Sequence, residues 1–293
     1  MNELTHAFPK SKIISRGNEI VLKGDPTDVV QITDILNSLV DHFHQFGKIN
    51  EENVRGYIAQ ERQDFMPEDF ADDVLLYGTR GNPIKAKTVN QQKLVLAIKQ
   101  NDLVFALGPA GTGKTFISVA MAVKALKSKQ VRKIIITRPA VEAGENLGFL
   151  PGDLKEKIDP YLRPIYDALN DMIPLEKLKF YMERELIEIA PLAYMRGRTL
   201  NNAFILLDEA QNTTPMQMKM FLTRMGPESK MIVTGDASQI DLPGNQKSGL
   251  KEAIRILHDV KGIEMIELNE KDVVRHKLVR DIIEAYGKLD SAK

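Results

Sequence analysis

The run Leu103 to Leu107 is wholly apolar, and Gly108, Pro109, Ala110, Gly111, Thr112, Gly113, Lys114 and Thr115 follow it directly. The pattern is GxxxxGK[ST], which works only as a strand, a glycine-rich loop and the first turn of a helix. Phe116 to Leu126, rich in Ala, Val, Met and Lys and free of helix breakers, supplies the helix. Backbone N–H groups of such a loop wrap a polyphosphate, a lysine in the position of Lys114 reaches the terminal phosphates, and the Thr115 hydroxyl is offered to Mg²⁺. A parallel α/β sheet and binding of a nucleoside triphosphate with Mg²⁺ are the first expectations.

The remaining apolar runs fit that frame. Ile134 to Thr137, Leu186 to Ala190, Ala203 to Leu207, Met231 to Thr234 and Gly262 to Leu268 read as five further strands, with helical patterns in most of the gaps. A doubly wound, mostly parallel sheet follows. Ligands in such sheets sit at the carboxyl ends of the strands.

Two strand ends carry the chemistry. Ala203 to Leu207 runs into Asp208 and Glu209, where a P-loop hydrolase places a carboxylate on the metal shell and a second one to polarise water. Thr234, Gly235 and Asp236 close the next strand, with Gln239 three residues on, a polar pair suited to sensing the γ-phosphate. Fast hydrolysis also calls for an arginine at the transferring charge. Arg138, Arg163, Arg196, Arg198 and Arg275 are the candidates.

Ahead of this core, Lys12 to Ser15 and Glu19 to Lys23 read as two strands that reverse at Arg16-Gly17-Asn18. Asp25 then caps a helix with Pro26 at its first position. Its expected apolar face is Val29, Val30, Ile32, Thr33, Leu36, Leu39, Val40 and Phe43. Residues 1–50 thus form a small β-β-α module, and 51–73, with eight acidic residues against Arg55 and Arg62, a solvated connector. Residues 74–293 are the ATPase domain. It opens on a hairpin, Val74 to Tyr77 against Ile84 to Lys87, whose Gly78 and Gly81 spell GxxG but lie in a strand-to-strand turn.

Forty basic and forty acidic residues cancel, so global charge does not argue for a polyanionic partner. Locally, Tyr77 to Gln100 holds five basic residues and no acidic one. The chain has no cysteine, which removes disulfides and thiolate sites and fits a reducing compartment. No signal-peptide core and no membrane-length apolar run occurs, so a soluble cytoplasmic protein is expected.

Several strings resemble the PhoH-like ATPase family: Thr88-Val-Asn-Gln, the phosphate loop, Thr137-Arg-Pro-Ala-Val-Glu-Ala-Gly-Glu, Gly148-Phe-Leu-Pro-Gly-Asp-Leu, Tyr194-Met-Arg-Gly-Arg-Thr-Leu, Leu207-Asp-Glu-Ala-Gln-Asn, Thr234-Gly-Asp and Asp272-Val-Val-Arg-His. The resemblance spans residues 74 to 287. It implies a core similar to superfamily 1 helicase motors, with Gln91 in adenine recognition, Arg138 and Glu142 in the motif after the second strand, Gln239 as the motif III glutamine and Arg275 as arginine finger across a ring interface. It also implies a homo-oligomer, hexameric, and RNA metabolism with a YbeY-type endoribonuclease as partner. The amino-terminal module resembles the partial KH-like domain of the family. After Lys293 no chain is left for a second motor domain, so strand separation is expected only if subunits supply the second half, and residues 1–73 offer fewer acidic metal ligands than members fused to a PIN nuclease, so intrinsic ribonuclease activity is not expected. A Mg²⁺-dependent ATPase is the leading reading. A nucleotide-switched RNA-binding adaptor without turnover is the alternative, and a small-molecule kinase is disfavoured by Glu209.

Overall fold

The structure, a computed structural model, describes residues 2–16, 19–61, 74–139, 154–243 and 246–274, without the side chains of 16, 45, 46, 59, 60 and 154–161. The amino-terminal module comprises α1 (Asn2–Ala7), the antiparallel pair β1 (Lys12–Arg16) and β2 (Glu19–Lys23), α2 (Pro26–Phe46) and α3 (Glu51–Glu61). Asp25 caps α2 by accepting the Thr27 N–H, and Gly47 ends it at φ 69°, a left-handed position natural to glycine.

The buried face of α2 is Ile32, Ile35, Leu39 and His42, while Val30, Val40 and Phe43 are exposed. The expected stripe is therefore rotated. A long helix with apolar residues on more than one side has its face chosen by what packs on it, here α1 through Leu4 and Ala7, Phe8 just after it, and α3 through Ile58. The expected solvated connector also differs: its first part is α3. Asn50 and Asn53 exchange side-chain bonds to each other's N–H groups (2.8 and 3.2 Å), Ile58 is buried, and Arg55 reaches Glu3 at 2.9 Å. The acidic charge hid a capped helix with an apolar stripe. Residues 62–73 lie outside the described residues.

The hairpin is β3 (Val74–Tyr77) against β4 (Pro83–Lys85). Beyond it come α4 (Val89–Gln100), β5 (Leu103–Leu107), α5 (Lys114–Lys127), β6 (Lys133–Arg138), α6 (Leu154–Met172), α7 (Leu175–Glu183), β7 (Ile187–Pro191), β8 (Ala203–Leu207), α8 (Pro215–Leu222), β9 (Lys230–Gly235), α9 (Gly249–Leu257) and β10 (Ile263–Glu267). The six strands from β5 onward form one parallel sheet in the order β10-β5-β9-β8-β6-β7.

Both faces of this sheet are covered, so its central strands read as unbroken apolar runs rather than alternations. Val104, Ala106, Ile134, Ile136, Phe204 and Leu206 pack with α4, α5 and α6. Leu103, Phe105, Leu107, Ile205 and Leu207 pack on the other side, where α8 contributes Met218 and Phe221 to the core. Doubly wound α/β architecture is the result. The strand order places the carboxyl ends of β5, β9, β8 and β6 side by side, and each tip leads into one of the motifs.

Candidate nucleotide-binding site

The phosphate loop spans the gap from β5 to α5. Gly108, at φ 139°, passes so close to Leu268 that a Cβ would collide with the Leu268 carbonyl oxygen. Gly113, at φ 85°, turns the chain into α5, and a Cβ there would lie 2.9 Å from the Gln91 amide nitrogen. The Lys114 ammonium donates to the Gly108 and Pro109 carbonyls at 2.6 and 2.7 Å, which holds it over the loop. Burial keeps its pKa below the usual lysine range, against the pull of Asp236, Glu209 and Asp208.

Asp208 stands two strands from β5, yet α5 brings Thr115 to it: Thr115 Oγ1 donates to Asp208 Oδ1 at 2.7 Å. Thr234 Oγ1, from the intervening β9, donates to the same oxygen at 2.7 Å. A hydroxyl and a carboxylate side by side are hard oxygen donors, as Mg²⁺ requires when phosphates and water complete its shell. The residues present therefore fit the ion. Among the described residues no cluster of three or more His, Cys, Asp or Glu could hold a metal by protein ligands alone.

Glu209 sits at φ 52°, a left-handed conformation that costs a residue with a Cβ about 1–3 kcal/mol and is met mainly at functional sites. Both of its carboxylate oxygens are held. Arg138 Nη2, at the tip of β6, lies 2.9 Å from Oε1, and Gln211 Nε2 donates to Oε2 at 2.6 Å. Arg138 Nε also lies 3.9 Å from Asp208 Oδ2. Gln211, fully buried, accepts the Asp236 N–H on its amide oxygen at 3.1 Å and so connects the tips of β8 and β9.

Asp236 Oδ1 accepts the N–H and hydroxyl of Ser238 at 2.9 and 2.6 Å, and Oδ2 is buried without a hydrogen-bond partner. Together with Gln239 it lines a cleft of about 450 Å³ that also takes in Ala110, Gly111, Gly113, Lys114, Thr115, Arg138, Asp208 and Glu209. The opposite wall is α6, through Pro164, Asp167, Ala168 and Asp171. That wall was not legible in the sequence, and no role was assigned there to Gln211, whose signals were its place two residues after Glu209 and in the Leu207-Asp-Glu-Ala-Gln-Asn string.

Of the five candidate arginines, Arg138 lines this cleft. Arg198 instead forms a bidentate pair with Glu188 (2.6 and 2.7 Å), and Arg163 and Arg196 are exposed outside it. Arg275 and Glu142 lie outside the described residues. Gln91 is 3% exposed and its amide is engaged by protein on both sides, the oxygen by the Lys87 N–H (2.7 Å) and the nitrogen by the Thr112 carbonyl (2.9 Å). It props the phosphate loop from behind.

The PhoH-like protein family model matches residues 83–287, which contain every strand of the parallel sheet. The chain belongs to the PhoH-like family. A PhoH-like protein of Bacillus subtilis is 55% identical over 279 residues, covering 94% of this chain and 87% of that protein. A PhoH-like protein of Mycobacterium bovis is 52% identical, covering 94% of this chain and 78% of its own. The Escherichia coli K12 protein PhoH shares 45% identity over 208 residues, 70% of this chain and 59% of that one. Among solved structures, the Sulfolobus solfataricus SWI2/SNF2 ATPase core in complex with dsDNA overlaps 52% of this chain and 32% of that one at a TM-score of 0.34 and 16% identity, too slight a likeness to carry an argument. Membership and sheet agree on a P-loop nucleotide-binding protein. Among the described residues no helix is long and apolar enough to cross a membrane.

Proposed function

We propose that this PhoH-like chain hydrolyses ATP in a Mg²⁺-dependent reaction and works in RNA metabolism. The observation that carries the hydrolytic part is the pair of strand tips facing the phosphate loop: Asp208 bonded to Thr115, and beside it Glu209 held in a left-handed conformation. A nucleotide kinase, whose acceptor is a substrate hydroxyl or phosphate rather than water, does not need a water-polarising carboxylate there.

Lys114 and the loop N–H groups bind the β- and γ-phosphates, and Thr115 and Asp208 hold Mg²⁺. When bound, the ion neutralises charge on the phosphate oxygens. Glu209 accepts a proton from water as its oxygen bonds to the γ-phosphorus and the bond to the bridging oxygen of ADP breaks. Arg138 and Gln211 aim the Glu209 carboxylate, Asp236 and Gln239 report on the γ-phosphate, and Arg275 supplies charge at the transition state. RNA, a YbeY-type endoribonuclease, a cytoplasmic setting and a hexameric homo-oligomer follow from the family resemblance.

Phosphate release by the full chain, at a measured oligomeric state, tests this reading with ATP, with Mg²⁺ or EDTA, and with or without RNA. Mg²⁺-dependent turnover that RNA accelerates is expected. Binding of ATP without turnover under any of these conditions would replace the hydrolase by a nucleotide-switched adaptor.

A further inference from the structure

The cap and first turn of α4 are where a base-reading group was expected, and their side chains are already engaged. Gln91 joins the Lys87 N–H to the Thr112 carbonyl. Thr88 Oγ1 donates to Asp272 Oδ1 at 2.5 Å, and Asn90 Nδ2 donates to Asp272 Oδ2 at 2.8 Å. Asp272 is itself buried, and the Asn269 N–H also donates to Oδ2 at 2.8 Å. Burial alone would raise its pKa, but these hydrogen bonds more than offset that and hold the carboxyl below the usual range.

Asp272 belongs to the strap that leaves β10, and the strap lies on the phosphate loop. Leu268 abuts Gly108, and the Val274 N–H donates to the Gly111 carbonyl at 3.1 Å. The loop is therefore held at Gly111 by the strap and at Thr112 by Gln91, and Asp272 ties the strap to the turn that carries Gln91. To read adenine, an amide must accept from the exocyclic amine and donate to a ring nitrogen. The Gln91 amide keeps a second lone pair and a second N–H, but with the side chain 3% exposed it reaches a base only by moving away from the two bonds that fix the loop. Thr88 and Asn90 would have to give up their bonds to a buried carboxylate, leaving it the Asn269 N–H.

We infer that this site takes purine nucleoside triphosphates by their phosphates, with no base-reading side chain in the cap and first turn of α4, and that Gln91 and Asp272 are positioning residues for the phosphate loop. The inference rests on the nucleotide-hydrolase reading above and names its substrate class. A site built to hydrogen-bond one base rejects the other by orders of magnitude. A site that grips phosphates alone does not.

The experiment compares ATP and GTP on the full chain, with binding followed by fluorescent analogues of each and turnover by phosphate release. Dissociation constants within about tenfold of each other are expected, and a preference for ATP above about tenfold overturns the inference. The Gln91→Glu variant keeps an acceptor for Lys87 but has no N–H for Thr112. It is expected to weaken both nucleotides by the same factor, whereas a loss confined to ATP would make Gln91 a reader of adenine. Asp272→Asn, which keeps the shape of the side chain, is expected to act on both nucleotides alike. Equal binding without turnover removes the hydrolase and leaves this inference standing. Unequal binding with turnover does the reverse.

Discussion

Arg138 Nη2 lies 2.9 Å from Glu209 Oε1, across the adjacent tips of β6 and β8. The guanidinium is 18% exposed and the carboxylate 38%, so this is a partly screened pair whose value lies in direction rather than in stability. With Gln211 on the other oxygen, the carboxylate has one orientation.

Replacing Arg138 by Ala is therefore expected to lower turnover about 10- to 100-fold while nucleotide affinity changes by less than about threefold, because the attacking water loses its aim and the phosphate cradle does not. Arg138→Lys, with a single ammonium nitrogen in place of the planar fork, should recover part of the rate. Steady-state rates set beside binding constants decide it: a loss of affinity with unchanged turnover would place Arg138 on the phosphates.

Glu209→Gln keeps size and hydrogen bonding but removes the base. Turnover should fall by about 10² to 10⁴ with binding retained. Near wild-type phosphate release from this variant would take Glu209 out of the reaction.

Thr234→Val deletes one of the two hydroxyl donors on Asp208 Oδ1 at nearly constant volume. Groups that orient a metal ligand commonly tune affinity by about 10- to 100-fold. Half-saturating Mg²⁺ should rise by about tenfold, read from a magnesium titration of ATP turnover. An unchanged titration would mean that Thr115 alone orients the carboxylate.

Lys127 donates to the Met172 carbonyl at 3.3 Å, and burial, with a smaller effect from Lys177, lowers its pKa to about 8. Between about pH 8 and the ordinary value of 10.5 the unfolded chain keeps a proton that the folded chain has lost, so folding becomes more favourable as pH rises through that window. Thermal melts of wild type and Lys127→Met should show a wild-type midpoint that gains on the variant from pH 8 to 10. Parallel curves would mean that the folded chain keeps Lys127 protonated.

Much of the fold could be read directly. Six predicted runs became six strands with boundaries shifted by a residue or so, and the four central ones were plainest because a sheet covered on both faces leaves them no alternation to misread. The amino-terminal module was less legible. Ile35 and Ile58 are buried there while Val40 and Phe43 are not, and that choice depends on where α1 and α3 lie rather than on the periodicity of α2.

The local sequence determined the phosphate loop, the carboxylates at the end of β8 and the cap of α2, because each depends on neighbours within a few residues: glycine for a positive φ, an acid directly after a strand, an Asp before a Pro. Only the tertiary structure decided which groups meet. Strand order set Arg138 beside Glu209 and Thr234 beside Asp208, and the path of the chain after β10 placed Asp272 beneath Thr88 and Asn90. Those partners are far apart along the chain, and the burial of the sheet and its strap, not any local preference, brings them within hydrogen-bonding reach.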